Sequence, residues 1–370
     1  MSERVLITGG AGFIGSHLAD ELLRAGYRVR ALDDLSPQVH EGGGRPDYLD
    51  PEVELVHGDV RDPDAVARAL ADVDSVVHFA ARVGVGQSMY ELAEYTSVNS
   101  AGTAVLLEAL LDRPVRRLLV ASSMSIYGEG LYRDPDGRLH AHAERTREQL
   151  ERGEWDPVGP GGEALEPLPT PETKPPALSS VYALNKYDQE RLCLIFGRAY
   201  DVPTVALRFF NVYGTRQALS NPYTGVLAIF ASRLLNGRPP LVFEDGRQRR
   251  DFVSVADVGR ACRLALETDG VAGRTVNVGS GESVSVAEIG ERLARVLGVE
   301  IEPEVTGKMR AGDIRHCFAD ISLARELLGF EPAVALDDGL QELAGWLEGQ
   351  TAVDRVDDAT RQLVARGLSR

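Results

Sequence analysis

Tyr182 and Lys186 stand four residues apart in Val181-Tyr182-Ala183-Leu184-Asn185-Lys186, so on a helix both project from one face. A phenol with a reference pKa of about 10 is a poor base near neutrality unless a cation stabilises its phenolate, and Lys186 can be that cation. Ser122 and Ser123 close the apolar run that begins at Arg117, and the carboxyl end of a parallel strand faces the cleft where ligands bind. From there Ser123 can hydrogen-bond an oxygen that Tyr182 deprotonates. A second set opens the chain, where Thr8-Gly9-Gly10-Ala11-Gly12-Phe13-Ile14-Gly15 directly follows an apolar run. Glycines at 9, 12 and 15 allow a tight turn, let backbone N–H groups approach a pyrophosphate, and let the following helix pack closely on the strand. Asp33 lies 21 residues after Gly12 at the end of the next apolar run. A carboxylate there accepts both ribose hydroxyls and repels a 2′-phosphate, which favours NAD over NADP. Asp59 and Val60 follow the third run; Asp59 suits either the adenine edge of a cofactor or the N-cap of the helix that starts near Asp62.

The elements that must hold these residues follow from periodicity. Short runs rich in Val, Leu and Ile at 5–8, 28–33, 53–57, 75–79, 117–122 and 204–209 read as strands, and 12–24, 62–71, 91–111 and 180–200 read as helices. That alternation predicts an α/β fold, a Rossmann-type doubly wound parallel sheet spanning 1–210. Residues 129–178 break the rhythm, charged at first and then rich in Pro and Gly, and read as an insertion with at most one short helix. Beyond Asn211 the elements are mixed: helices at 225–236, 255–267 and 286–297, and strands at 241–243 and 275–278. A smaller mixed α/β substrate domain is expected over 211–350, with 250–272 returning to the first domain and 351–370 a loosely attached tail.

The 370 residues carry 40 Lys+Arg against 56 Asp+Glu, a net charge of −16. Such a surplus repels nucleic acid and anionic membrane surfaces, and the sequence holds no basic patch to overcome it. No run approaches the ~18 apolar residues of a membrane span, and Val5-Leu6-Ile7 is too short for a signal segment. Cys193, Cys262 and Cys317 are widely spaced, which fits buried thiols in a reducing compartment, so a cytoplasmic enzyme is expected.

Taken together, Gly9/Gly12/Gly15, Asp33 and Ser123/Tyr182/Lys186 resemble the extended short-chain dehydrogenase/reductases of the nucleotide-sugar epimerase and dehydratase group, over about residues 3–347. The resemblance implies bound NAD, with Asn99 in Val98-Asn99-Ser100-Ala101-Gly102-Thr103 at the cofactor and active site, compatibly with a helix-kinking amide bonded to backbone, and Phe79, Ala80 and Ala81 lining the cofactor. His78, beside them, reads as a satisfied core histidine. The resemblance also implies a nucleotide diphosphate sugar as substrate. Asn211 in Arg208-Phe209-Phe210-Asn211, Arg250 in Arg250-Asp251-Phe252-Val253, and Arg310 and Asp313 in Arg310-Ala311-Gly312-Asp313 match the segments that hold it. Arginine's planar fork suits a diphosphate. Arg247, Arg249 and Arg315 read as solvated surface charges. A homodimer joined through the helices starting near Glu91 and Ser180 is implied as well.

Within this group, 4,6-dehydratases carry an adjacent acidic pair directly after the active-site hydroxyl, and decarboxylases place a glutamate where Ser125 stands. Here those places are Met124 and Ser125, so the resemblance implies 4-epimerisation through a 4-keto sugar. The segments 83–90, with Val85 expected at the substrate, 127–132 and 220–226 resemble the dTDP-L-rhamnose 4-epimerase subgroup. UDP-hexose 4-epimerases, and 4-ketoreductases or decarboxylases on the same fold, are the alternatives; a non-catalytic NAD sensor fits poorly with an intact Ser/Tyr/Lys set. Ser123 and Tyr182 are 59 residues apart, so the 129–178 insertion lies beside the site and reads as a lid over the sugar or as a surface arm. Similar sequences carry a Cys pair there; Val158-Gly159-Pro160-Gly161-Gly162 has none, and no metal is expected.

Overall fold

The apolar runs become seven strands: β1 Arg4–Thr8, β2 Arg28–Asp33, β3 Glu54–His57, β4 Ser75–His78, β5 Arg117–Ser123, β6 Thr204–Phe209 and β7 Thr275–Val278. The computed structural model describes residues 2–40, 42–310 and 312–369. All seven strands pair in parallel, in the order β7-β6-β5-β4-β1-β2-β3. Strand order reverses between β1 and β4, and the crevice at their carboxyl ends is where such sheets bind ligands. Both faces of the sheet are buried, as continuous apolar strands require. On one face, Leu18, Ala19 and Leu22 of the helix Phe13–Arg24 pack with Ala261, Cys262 and Ala265 of the helix Val255–Glu267. On the other, Val66, Leu106, Leu110, Cys193 and Phe196 come from the helices Pro63–Ala69, Gly102–Asp112 and Val181–Ala199. All three cysteines are buried and unpaired. No helix among the described residues is long and apolar enough to cross a membrane.

A second core, built on Tyr213, Leu227, Phe230, Val242, Ile289, Leu293 and Leu340, fills the smaller lobe. The return to the sheet runs past the expected 272. Thr275–Val278 pairs with β6, and Ala324, Leu328 and Phe330, around the helix Ser322–Leu328, sit in the core of the main sheet.

The insertion holds more order than its Pro/Gly content suggests. Leu131–Arg133 pairs antiparallel with Leu139–His140 and with Glu166–Leu168, and one short helix, Arg147–Glu151, is capped by Thr146. Buried ion pairs fasten it to the smaller lobe: Arg145 reaches Glu129 (3.0 Å) and Glu244 (2.7 Å), and Arg315 reaches Asp156 (2.7 Å), Asp245 (2.5 Å) and Glu244 (3.3 Å). Arg315 is 1% exposed, so the expectation of a solvated charge is corrected: Glu244 and Asp245 of the smaller lobe, with Asp156 from the insertion, make its burial tolerable. Arg247 and Arg249 are exposed as expected.

The 351–370 tail is not loosely attached. The helix Val356–Ala365 buries Ala359 and Leu363, and Asp354 and Asp357 pair with Arg233 and Arg238.

Candidate active site

The helix Val181–Ala199 carries Tyr182 and Lys186 on its first turns. Ser180 caps it by accepting the Ala183 N–H (3.1 Å), and Ser88 Oγ accepts the Tyr182 N–H (3.0 Å). Ser123, the last residue of β5, faces them. Its Oγ accepts the N–H (3.2 Å) and the hydroxyl (2.9 Å) of Ser125, which leaves its own proton to donate. Burial raises the Tyr182 phenol above its ordinary value, and neighbouring Ser123 works against that rise. Lys186 is 4% exposed, and burial lowers its ammonium to about 8, with the Cys193 and Glu190 charges opposing.

What holds the ammonium is a residue that the sequence analysis passed over. Lys186 Nζ donates to Gln189 Oε1 at 2.8 Å. Gln189 Nε2 in turn donates to Thr103 Oγ1 (3.0 Å) and the Ala80 carbonyl (3.3 Å), and lies 3.2 Å from His78 Nε2. The donors fix the histidine's tautomer. Thr8 Oγ1 accepts from the Phe79 and Ala80 N–H groups, so its proton goes to His78 Nδ1 (2.7 Å); Nε2 then carries the ring proton and donates to Thr103 (2.8 Å). Burial lowers His78 to about 3, which keeps it uncharged beside Lys186. His78 is the satisfied core histidine expected. Gln189 lies three residues beyond Lys186 on the same helix face, and that spacing was the available signal.

The Gly-rich loop closes the other end of the same cavity, whose volume is about 610 Å³. Gly9 has φ +71°, and a Cβ on Gly15 would lie 2.3 Å from the Gly9 carbonyl oxygen, so neither position admits a side chain. Asp33 Oδ2 accepts the Ala11 N–H (3.0 Å) and Oδ1 the Leu35 N–H (3.0 Å), tying the end of β2 to the loop. Gly9, Gly12, Phe13, Ile14, Gly15, Asp33, Asp59, Val60, Phe79, Ala80, Ala81, Ser122 and Lys186 all line this cavity. One of the expected cofactor contacts, Asn99, needs correction, and Asp59 and Ser122 are also engaged by neighbouring side chains. The helix cap at 62 is made by Asp62 itself, while Asp59 is gripped by Arg61 (2.6 Å), which holds its carboxyl below the usual range. Ser122 donates its hydroxyl to buried Glu190 (2.6 Å), so its proton is already committed. Asn99 does not line the cavity. It sits in a π-helical turn, Ser97–Ala101, and its carboxamide bonds the Arg82 N–H (2.7 Å) and carbonyl (3.1 Å), fixing the strand-end segment from behind.

At the far end, Val85, Asn211, Arg250, Arg310 and Asp313 line the cavity. Asn211 Oδ1 is buried without a partner, an acceptor free for a ligand. Arg310 makes a paired contact with Asp313 (2.8 and 3.0 Å) and lies 4.5 Å over the Phe243 ring. Arg250 spends part of its fork on the Arg249 and Arg315 carbonyls (2.9 and 3.1 Å). Leu241, Phe243, Gln248 and the amino end of the helix Val226–Leu235 complete this end and were missing from the expected set. No described residue of 129–178 lines the cavity, so the insertion packs beside the site without covering it. Within it, Asp134, His140 and Glu163 bring ligand atoms within 4.8 Å of one another, but Asp134 already pairs with His140 (2.9 Å) and Glu163 with the Gly161 N–H (2.8 Å).

A model of the NAD dependent epimerase/dehydratase family matches residues 5–152 and 156–279. The chain is 37% identical over 351 residues to a dTDP-L-rhamnose 4-epimerase of Burkholderia thailandensis, covering 93% of this chain and 95% of that protein. A putative UDP-glucose 4-epimerase of Methanocaldococcus jannaschii is 31% identical, over 93% of this chain and 98% of its own. Of the solved structures, a Thermotoga maritima UDP-glucose 4-epimerase with UDP-glucose matches with a TM-score of 0.76 at 30% identity, over 93% and 98% of the two chains. A Thermus thermophilus UDP-glucose 4-epimerase complexed with NAD matches with a TM-score of 0.74 at 31% identity, over 94% and 100%. The glycine cradle, the carboxylate at the end of β2, and half-buried Tyr182 with buried Lys186 one helical turn on fit that cofactor, and the chain belongs to the NAD-dependent epimerase/dehydratase family, an epimerase that uses NAD.

Proposed function

We propose that this chain is a nucleotide-sugar 4-epimerase acting on a dTDP-6-deoxyhexose, interconverting dTDP-L-rhamnose and dTDP-6-deoxy-L-talose. The observation that carries the reading is that Ser123, Tyr182 and buried Lys186 line one cavity with the Gly-rich loop, where Met124 and Ser125 offer no second acid and base. NAD, when bound, supplies the acceptor for the hydride of sugar C4 and returns it. Ser123 holds the C4 oxygen by donating its free proton. Tyr182, as phenolate stabilised by Lys186, takes the hydroxyl proton and gives it back when the rotated 4-keto sugar is reduced on its other face. Met124 and Ser125, the two positions after Ser123, carry no acid or base to eliminate water or to assist loss of carbon dioxide, which supports epimerisation. Arg250, Arg310 and the amides at the start of Val226–Leu235 are the donors for the diphosphate, against the overall charge of −16.

The 37% identity to the Burkholderia protein favours the 6-deoxy substrate, while the Thermotoga and Methanocaldococcus relatives support the alternative, a UDP-hexose 4-epimerase. Incubating the purified protein with dTDP-L-rhamnose, UDP-glucose and UDP-galactose, without added NADH, and following the anomeric protons by NMR distinguishes them. Formation of the C4 epimer from the dTDP sugar is expected; exclusive turnover of the UDP sugars selects the alternative, and release of carbon dioxide or a stable 4-keto product refutes both. A homodimer is part of the same proposal. Leu92 and Leu111, at the ends of the stretch Leu92–Asp112, and Leu184 and Ile195 on Val181–Ala199 are about half exposed, an apolar surface on the two elements expected to pair. Light scattering reads the mass.

A further inference from the structure

The tail helix Val356–Ala365 forms a wall of the cavity described above, through Val356, Ala359, Thr360 and Leu363, with Leu368 just beyond it. It is fastened to three segments that also line that cavity. Gln362 Oε1 accepts the Tyr90 hydroxyl (3.1 Å), and the Arg366 guanidinium lies 4.3 Å over the Tyr90 ring. Tyr90 in turn bonds Tyr223 (2.6 Å), and Ser369 pairs with the backbone of Arg310 and donates to the Met309 carbonyl (3.2 Å). Leu363 points at Gly86, where its Cδ2 would be 3.4 Å from an added Cβ. Gly86 belongs to the short helix Val85–Ser88, whose Ser88 accepts the Tyr182 N–H. Leu363 thus abuts Gly86 and lines the same cavity as Val85, Met89 and Tyr182; the Leu, Val and Met side chains bring no N–H or O–H group to it.

We propose that Leu363 sets sugar specificity: with Val85 and Met89 it forms an apolar wall that takes the C6 methyl of a 6-deoxyhexose and disfavours a hydroxymethyl or carboxylate there. This rests on the nucleotide-sugar 4-epimerase reading and deepens it. A polar C6 substituent against that wall gives up its water without a replacement donor or acceptor. An apolar pocket rejects an added hydroxyl by only about tenfold to a hundredfold in kcat/KM, and a preference of that order is expected.

The test compares kcat/KM for a dTDP-6-deoxyhexose and its 6-hydroxy counterpart on the intact protein and on the full-length variants Leu363→Ser and Leu363→Ile. The wild type should prefer the 6-deoxy sugar, Leu363→Ser should narrow that ratio about tenfold, and Leu363→Ile should keep it. Loss of packing alone would lower both rates and leave the ratio unchanged, which overturns the assignment. Equal turnover of both sugars by the wild type overturns it as well, with no variant needed, and leaves 4-epimerisation standing. Failure to turn over either sugar, or any UDP-hexose, removes the function on which it rests.

Discussion

Replacing Gln189 by Leu tests how the reactive lysine is held. Lys186 Nζ is buried and donates to one side-chain acceptor, Gln189 Oε1, at 2.8 Å. A hydrogen bond to a charged group contributes about 1.5–3 kcal/mol, and one pKa unit is about 1.4 kcal/mol, so its loss should lower the lysine by about one to two units. Starting from about 8, the ammonium then titrates at about 6–7. The cation is the form that stabilises the Tyr182 phenolate, and rising pH removes it, so a lower pKa brings the alkaline loss of activity to lower pH. At pH 7.5 the protonated fraction falls from roughly three-quarters to between a quarter and a few per cent, an approximately three- to twenty-five-fold fall in kcat. Gln189→Glu should act the other way, because a carboxylate beside the ammonium favours its charged form and moves the limb upward. The assay is kcat against pH from 6 to 9.5, with NAD affinity measured separately. Because Tyr182 and Lys186 interact, the limb belongs to the pair and not to either group alone. Limbs that stay in place in both variants, or move in the same direction in both, refute the role.

Four further outcomes follow from the same structure. Tyr182→Phe should keep NAD binding and lower turnover by about 10²–10⁴-fold, since the proton acceptor alone is lost; steady-state rates and cofactor fluorescence check both halves. Asp33→Ala should weaken NAD and relax rejection of NADP, and because Asp33 also holds the Ala11 and Leu35 amides, titration calorimetry should show a loss for NAD larger than the gain for NADP. Arg145→Met removes the cation shared by Glu129 and Glu244, leaving Glu244 to Arg315 and Glu129 to neutral donors, and should cost about 1.5–3 kcal/mol by urea unfolding, whereas a surface ion pair would cost under about 1. His78 titrates at about 3 in the folded chain and near 6.5 unfolded, so the unfolded state takes up the proton first and stability falls with acid. Between pH 7 and pH 5 that loss is about 2 kcal/mol, and His78→Gln should lack it in urea midpoints at the two pH values.

What the sequence determined by itself is local. A Gly-rich turn after an apolar run, a carboxylate at the end of the next strand, and Tyr182 four residues before Lys186 are fixed by chain geometry over a few residues, so their types and spacing carry their placement. Strand and helix alternation likewise implied the parallel sheet, because strands buried on both faces must be apolar throughout. What tertiary structure decided are the partners brought together across long stretches of chain. Arg315 is a buried brace because Asp156, 159 residues earlier, reaches it. Asn99 stands behind the cavity because its amide is satisfied by the Arg82 backbone, and Gln189 serves Lys186 because Thr103 and the β4 end orient it. The insertion and the tail are both docked more firmly than their sequences suggest, for the same reason. Their polar, irregular sequences have no period to read, and whether such a segment floats or docks depends on buried charges and apolar contacts that its own residues do not contain: Glu244 for the insertion, Arg233, Tyr90 and Gly86 for the tail.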